Sequence, residues 1–209
     1  MAYPTARRRE MGSIMTRILA TLSILSLALL FAALTMGLSV DDLYAAPSAA
    51  TLRLATIHRL TGIAAALAVV FVESVVITYF VGTSRWCKEV TETYRLDAGR
   101  VAEANRLKRR AFAVALVGML AVVGIIALGG AADPATGRAG TRAWTVFHLS
   151  AAMGGAALIA WTYFAAWQYV WQNHTIIERI VADVAKIRRE RGLEPIDASR
   201  EIDHFSPVQ

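Results

Sequence analysis

Four apolar stretches, each bounded by charged residues, divide the chain at about 16–38, 56–82, 110–131 and 143–171. At 1.5 Å per residue, each is long enough to cross roughly 30 Å of hydrocarbon as a helix. The runs are continuous rather than alternating, which predicts helices and excludes the strands of a membrane barrel. The expected fold is all-α: a polytopic membrane protein whose residues 1–172 form an up-and-down bundle of four transmembrane helices.

Residues 173–209 read as a separate segment. Ile176, Ile177, Ile180, Val181, Val184 and Ile187 recur at helical spacing among Glu178, Arg179, Asp183, Lys186 and Arg188, the pattern of an amphipathic helix ending near Gly192. Such a helix lies on a membrane or partner surface, or simply prolongs the fourth span. The tail beyond it carries Pro195 and Pro207 and is expected to be extended.

Arg7, Arg8 and Arg9 ahead of the first apolar run, with Tyr44-Ala45-Ala46 after it, also suit a signal peptide. The run from Ile18 to Leu38 exceeds the usual apolar region of about 7–15 residues, so a retained helix is the expectation. The spans group into two hairpins, 16–82 and 110–172, arranged like a parallel repeat about an axis along the membrane normal. Their connections, Asp41-Asp42 to Pro47-Ser48 and Gly129-Gly130 to Gly140, are rich in small and turn residues. The polar stretch from 83 to about 110 keeps Val90, Tyr94, Leu96, Val101, Ala104 and Leu107 in a pattern that predicts helical extensions of spans two and three.

Composition sharpens this picture. Of 209 residues 56 % are hydrophobic, and 22 Lys and Arg against 16 Asp and Glu give a net charge of +6. All but Arg53, Arg59, Arg138 and Arg142 of those basic residues fall in the N-terminal stretch to Arg17, in the 83–110 loop, or after residue 172. The positive-inside rule therefore places both termini and the middle loop in the cytoplasm, as expected in a bacterial-type inner membrane. Attraction to anionic lipid headgroups then accounts for the charge, and no nucleic-acid partner is implied. Cys87 is the single cysteine, which rules out a disulfide framework or an iron–sulfur or structural zinc site within one chain; it reads as a bystander thiol at the membrane edge.

His58 and His148 sit just inside the starts of spans two and four, at matched depth. In an up-and-down bundle those helices are parallel and diagonal, so the two imidazoles can approach the axis from opposite sides, as axial ligation of one b-type haem iron requires. Gly62 and Gly154, with Gly155, lie one or two turns further in and leave room for a macrocycle. Arg53, Arg59 and Arg142 lie near the outer boundary, where guanidinium groups suit haem propionates. The alternative is a pair of interfacial histidines satisfied by water and a neighbouring helix. Copper is less suited, because only Met153 stands nearby as a further ligand.

Glu73 lies deep in span two, where a charged carboxylate costs a few kcal/mol. It is expected to be protonated, paired or turned to a polar cavity, as a proton relay, a quinone-site acid or a neutral interhelical hydrogen bond, with Tyr79, Thr162, Tyr163 or Gln168 as partners. Trp144 and the Trp167, Tyr169 and Trp171 group mark the two ends of span four as interfacial belts. The deeper Trp161 and Tyr163 are expected in the core, with a border to a quinone or haem as the other reading. Span three carries no ionisable residue from Ala111 to Ala131 and, with Ala115, Gly118 and Gly124, reads as a packing helix. His174 and His204 have no matched partner and receive no cofactor role.

The stretch Ile57-His58-Arg59-Leu60-Thr61-Gly62 resembles the His-Arg-x-Ser/Thr-Gly sequence of succinate dehydrogenase cytochrome b subunits. The placement of histidines on helices two and four is similar, as architecture, to the four-helix core of membrane cytochromes b. That core has a second histidine pair about four turns further down, where this chain holds hydrophobic residues, Glu73 or Thr162; the resemblance implies at most one haem, near the outer face.

The expected function is a haem b-binding subunit of a respiratory or photosynthetic electron-transfer complex, carrying electrons between an outer donor and quinone or a partner subunit, with no catalytic domain of its own. A haem-free structural subunit docking through the 83–110 loop and the 176–190 helix is the rival expectation. A small proton or cation transporter centred on Glu73 is the third.

Overall fold

The structure, a computed structural model, describes residues 5–193, with side chains from Ile14 onward. Arg7, Arg8, Arg9, His204 and the proline-bearing tail lie outside the described backbone or side chains. The described residues form four long helices: α1 (Thr5–Leu38), α2 (Ala49–Tyr94), α3 (Gly99–Ala132) and α4 (Thr145–Glu190). Each contains a segment long and apolar enough to cross a membrane. The chain is thus a multi-pass membrane protein by length and composition, as the apolar pattern predicts.

Local chemistry sets the breaks. Ser48 caps α2, its hydroxyl accepting from the Thr51 amide at 3.1 Å. Arg95, at φ 54°, ends α2 in the left-handed region and starts the tight turn to α3. Between α3 and α4, Asp133 accepts from the Ala135 amide, a 3₁₀ turn spans Pro134–Thr136, and Gly137 and Gly140 take positive φ before a second turn at Thr141–Trp144.

Sequential helices are neighbours, α4 closes the ring against α1, and the diagonal pair α2 and α4 also touch. Small side chains permit that approach: Ala65, Ala66, Ala111, Ala115, Gly118 and Ala166 are buried. Leu67, Phe71, Leu120 and Phe164 point outward, more than half exposed, as lipid-facing residues do. Trp161 is among these outward residues at 53 % exposure, contrary to the core position expected of it, whereas Tyr163 is buried. A helix face one residue round from the core face meets lipid, and hydropathy does not distinguish the two.

The extensions predicted from the 83–110 stretch are present, as the last turns of α2 and the first of α3. The 176–190 segment is no separate surface helix: it is the continuation of α4, with Ile176, Ile180 and Val184 buried. With Cys87, Ala104 and Leu107 these isoleucines continue the core beyond the spans. Cys87 is therefore fully buried rather than at an edge. The Arg100–Asp183 pair at 3.6 Å and the Arg188 guanidinium donating to Tyr94 Oη at 3.2 Å tie the three helices together. We call this the basic end and the opposite one, with the 39–48 and 133–144 connections, the loop end.

Candidate functional site

At the loop end the structure brings His58 of α2 and His148 of α4 together. Their ring centroids are 6.2 Å apart and the planes meet at 69°. Each imidazole is half-buried and seated on a glycine of the helix that precedes it in its own hairpin. A Cβ on Gly37 of α1 would stand 2.8 Å from Cε1 of His58, and one on Gly129 of α3 would stand 3.0 Å from Cε1 of His148. No alanine fits either place without moving the ring.

One turn before each glycine lies a backbone carbonyl facing the histidine. His58 Nδ1 is 2.9 Å from the Ala33 oxygen, and because a carbonyl only accepts, Nδ1 carries the proton. In that tautomer Nε2 is the nitrogen with a lone pair to donate. His148 Nδ1 interacts with the Ile125 carbonyl but falls short of hydrogen-bond geometry, and is buried without a partner. The correspondences Ala33 with Ile125, Gly37 with Gly129 and His58 with His148 run at offsets of 90 or 92 residues, so the two hairpins build the same half-site twice.

The other residues read from the sequence fall into two groups. At Gly62 and Gly154 a Cβ would meet nothing within 4 Å, so these glycines have open space beside them; Gly155 is the one at a helix contact, 2.6 Å from Ile125 Cδ1. Arg59 and Arg142 are already paired, with Asp133 at 2.8 Å and Asp42 at 3.4 Å, and Arg53 is exposed on the first turns of α2. These pairs, with Tyr44 Oη donating to the Ala132 carbonyl at 2.6 Å, lash the two connections to the helix ends beside the histidines. The half-exposed ion pairs contribute at most about 1 kcal/mol each.

Fifteen residues along α2 from His58, a second polar layer crosses the bundle. Glu73 and Thr162 are wholly buried, and the Thr162 hydroxyl is 2.8 Å from Glu73 Oε1. Of the partners proposed for Glu73, Tyr163 instead shares a 2.8 Å hydrogen bond with Ser26 of α1, and Tyr79 accepts from Asn173 of α4 at 3.2 Å. Asn173 and Ser26 had no signal in the sequence, being single polar residues whose burial only the fold decides. The repeat extends here too: Glu73 corresponds to Tyr163, and Gly118 of α3 to Ser26 of α1.

A groove of about 420 Å³ on the α1–α2 face, lined by Met15, Phe71, Ser74, Val75, Thr78 and Tyr79, is overwhelmingly apolar. Its Ser74 and Thr78 hydroxyls donate to the carbonyls of Val70 and Ser74. His174 pairs with Glu178 one turn on, at 3.3 Å. Comparison with protein-family models, curated proteins and solved structures finds no match to the chain.

Proposed function

We propose that the chain is an electron-transfer subunit that holds one haem b through His58 and His148, with the loop end outside and the basic end in the cytoplasm. The observation that carries this reading is the doubled half-site: two imidazoles, on parallel diagonal helices, meeting at one depth with centroids 6.2 Å apart. A metal–imidazole nitrogen bond is about 2 Å, so His58 and His148 would be within reach of one shared metal ion at this separation.

The residues present fit the group in three further respects. The Ala33 carbonyl holds His58 in the tautomer that leaves Nε2 available, the arrangement that orients metal-bound histidines. His148 Nδ1 is buried without a hydrogen bond, as expected of a ring whose final orientation a ligand would complete. Open space at Gly62 and Gly154 suits a macrocycle edge. Arg59 and Arg142 would share themselves between propionates and their aspartate partners, while Arg53 is the exposed guanidinium at the same end.

When bound, a haem b supplies one-electron chemistry at the level of the outer leaflet. The protein's own residues do the rest. Gly37 and Gly129 let the rings approach their neighbouring helices, and the Ala33 carbonyl fixes the proton of His58 on Nδ1. Orientation follows from the distribution of basic residues, which crowd the helix extensions and the two terminal segments. Quinone or a partner subunit would receive the electron.

The edge-on contact of the two rings also suits a haem-free packing layer in a structural subunit. Haemin titration into the detergent-purified full chain separates the two. The electron-transfer reading predicts one haem per chain with a six-coordinate low-spin spectrum, at least tenfold weaker in His58→Ala or His148→Ala. Binding that is absent, or indifferent to both substitutions, leaves the structural subunit.

A further inference from the structure

We propose that Glu73 is a proton-holding site at the centre of the bundle: a neutral carboxyl donates to Thr162, and its buried second oxygen, without a partner in the protein, is left to accept from a proton carrier. The inference does not rest on the haem reading.

The Thr162 hydroxyl has one hydrogen and two acceptors at 2.8 Å, Glu73 Oε1 and the Ile159 carbonyl oxygen. Were Glu73 ionised, that hydrogen would serve the carboxylate, the Ile159 contact would carry no proton, and a full charge with zero exposure would rest on a single hydrogen bond. With the proton on Oε1, Glu73 donates to Thr162 and Thr162 donates to Ile159. Both short contacts are then hydrogen bonds and no charge is buried.

Glu73 Oε2 is buried and has no partner. The groups facing the carboxyl do not neutralise it. From α4 come Thr162 and the phenol of Tyr163, whose hydroxyl is engaged with Ser26 of α1. From α3 comes the backbone of Gly118, where a Cβ would overlap Oε1 and stand 2.9 Å from Thr162 Oγ1. Gly118 therefore exists to admit the acid. In the corresponding place of the other hairpin Ser26 meets Tyr163, so this layer holds a single carboxyl opposite a phenol. The ligand class is a proton, delivered by water or by another small protic carrier hydrogen-bonded at Oε2.

Infrared spectroscopy of the full chain in lipid vesicles tests this. A protonated-carboxyl stretch is expected at neutral pH, shifting on transfer to D₂O and missing in Glu73→Gln. Thr162→Val should move the same band to the frequency of a carboxyl relieved of a hydrogen bond, which keeps the test valid should Glu73→Gln fail to fold. A carboxylate at neutral pH overturns the assignment, as does a band that Thr162→Val leaves unmoved or that never exchanges in D₂O.

Discussion

The two polar layers of the bundle differ in symmetry, and that difference separates their roles. At the loop end both hairpins supply the same parts: a histidine, a glycine under its ring and a carbonyl one turn earlier. Midway along the bundle the equivalent positions hold unlike parts, Glu73 over Gly118 and Tyr163 over Ser26. A layer with two equal donors suits one ligand bound from both sides. A layer with one acid and one phenol suits a single ionisable group, with Tyr163 filling the complementary half.

Substitutions in each layer test this contrast. The largest effect is expected at the symmetric layer: His58→Ala or His148→Ala should each abolish six-coordinate haem binding, and equal losses would express the equivalence of the half-sites. A variant that retained it would show that the halves are not equivalent. Next come the glycines. Gly118→Ala should destabilise by about 1–3 kcal/mol through overpacking, with Gly37→Ala and Gly129→Ala each near the lower end because an imidazole moves more readily than a packed carboxyl. Gly62→Ala and Gly154→Ala, which meet nothing within 4 Å, should stay within about 0.5 kcal/mol of the parent in thermal unfolding in detergent. A Gly62→Ala change as costly as Gly118→Ala would undo this ranking.

A smaller effect is expected for Thr162→Val, about 1 kcal/mol for one interhelical hydrogen bond. The smallest lies between the layers. Fifteen residues of helix separate His58 and Glu73, roughly 22 Å at 1.5 Å per residue, and a unit charge at that distance interacts by about 0.7 kcal/mol at an effective dielectric of 20. The potential of a haem held by His58 and His148 should therefore lose at most about 30 mV of its pH dependence in Glu73→Gln, in redox titrations between acid and alkaline pH. A much larger change would place the two layers in direct contact.

The helices and the histidine pair were legible in the sequence because apolar run length and matched depth are properties of the chain itself. What supports the histidines was not. Gly37 and Gly129 are two glycines among 14, and only the α1–α2 and α3–α4 contacts reveal that a ring rests on each. Arg59 and Arg142 read as free partners for propionates because Asp133 and Asp42 are remote in sequence, and folding of the connections pairs them. The 176–190 stripe predicted a helix with one apolar face, but periodicity does not say what covers it; Cys87, Ala104 and Leu107 in the same core do.

The measurement that bears most directly on the central claim is the dithionite-reduced minus oxidised absorption spectrum of the protein as isolated in its native membrane, beside the His58→Ala and His148→Ala chains. A b-type spectrum in the parent that is lost from both variants is the predicted result. A parent chain without any haem signal, fully folded and intact, would contradict the account and leave His58 and His148 as a packing contact between two hairpins.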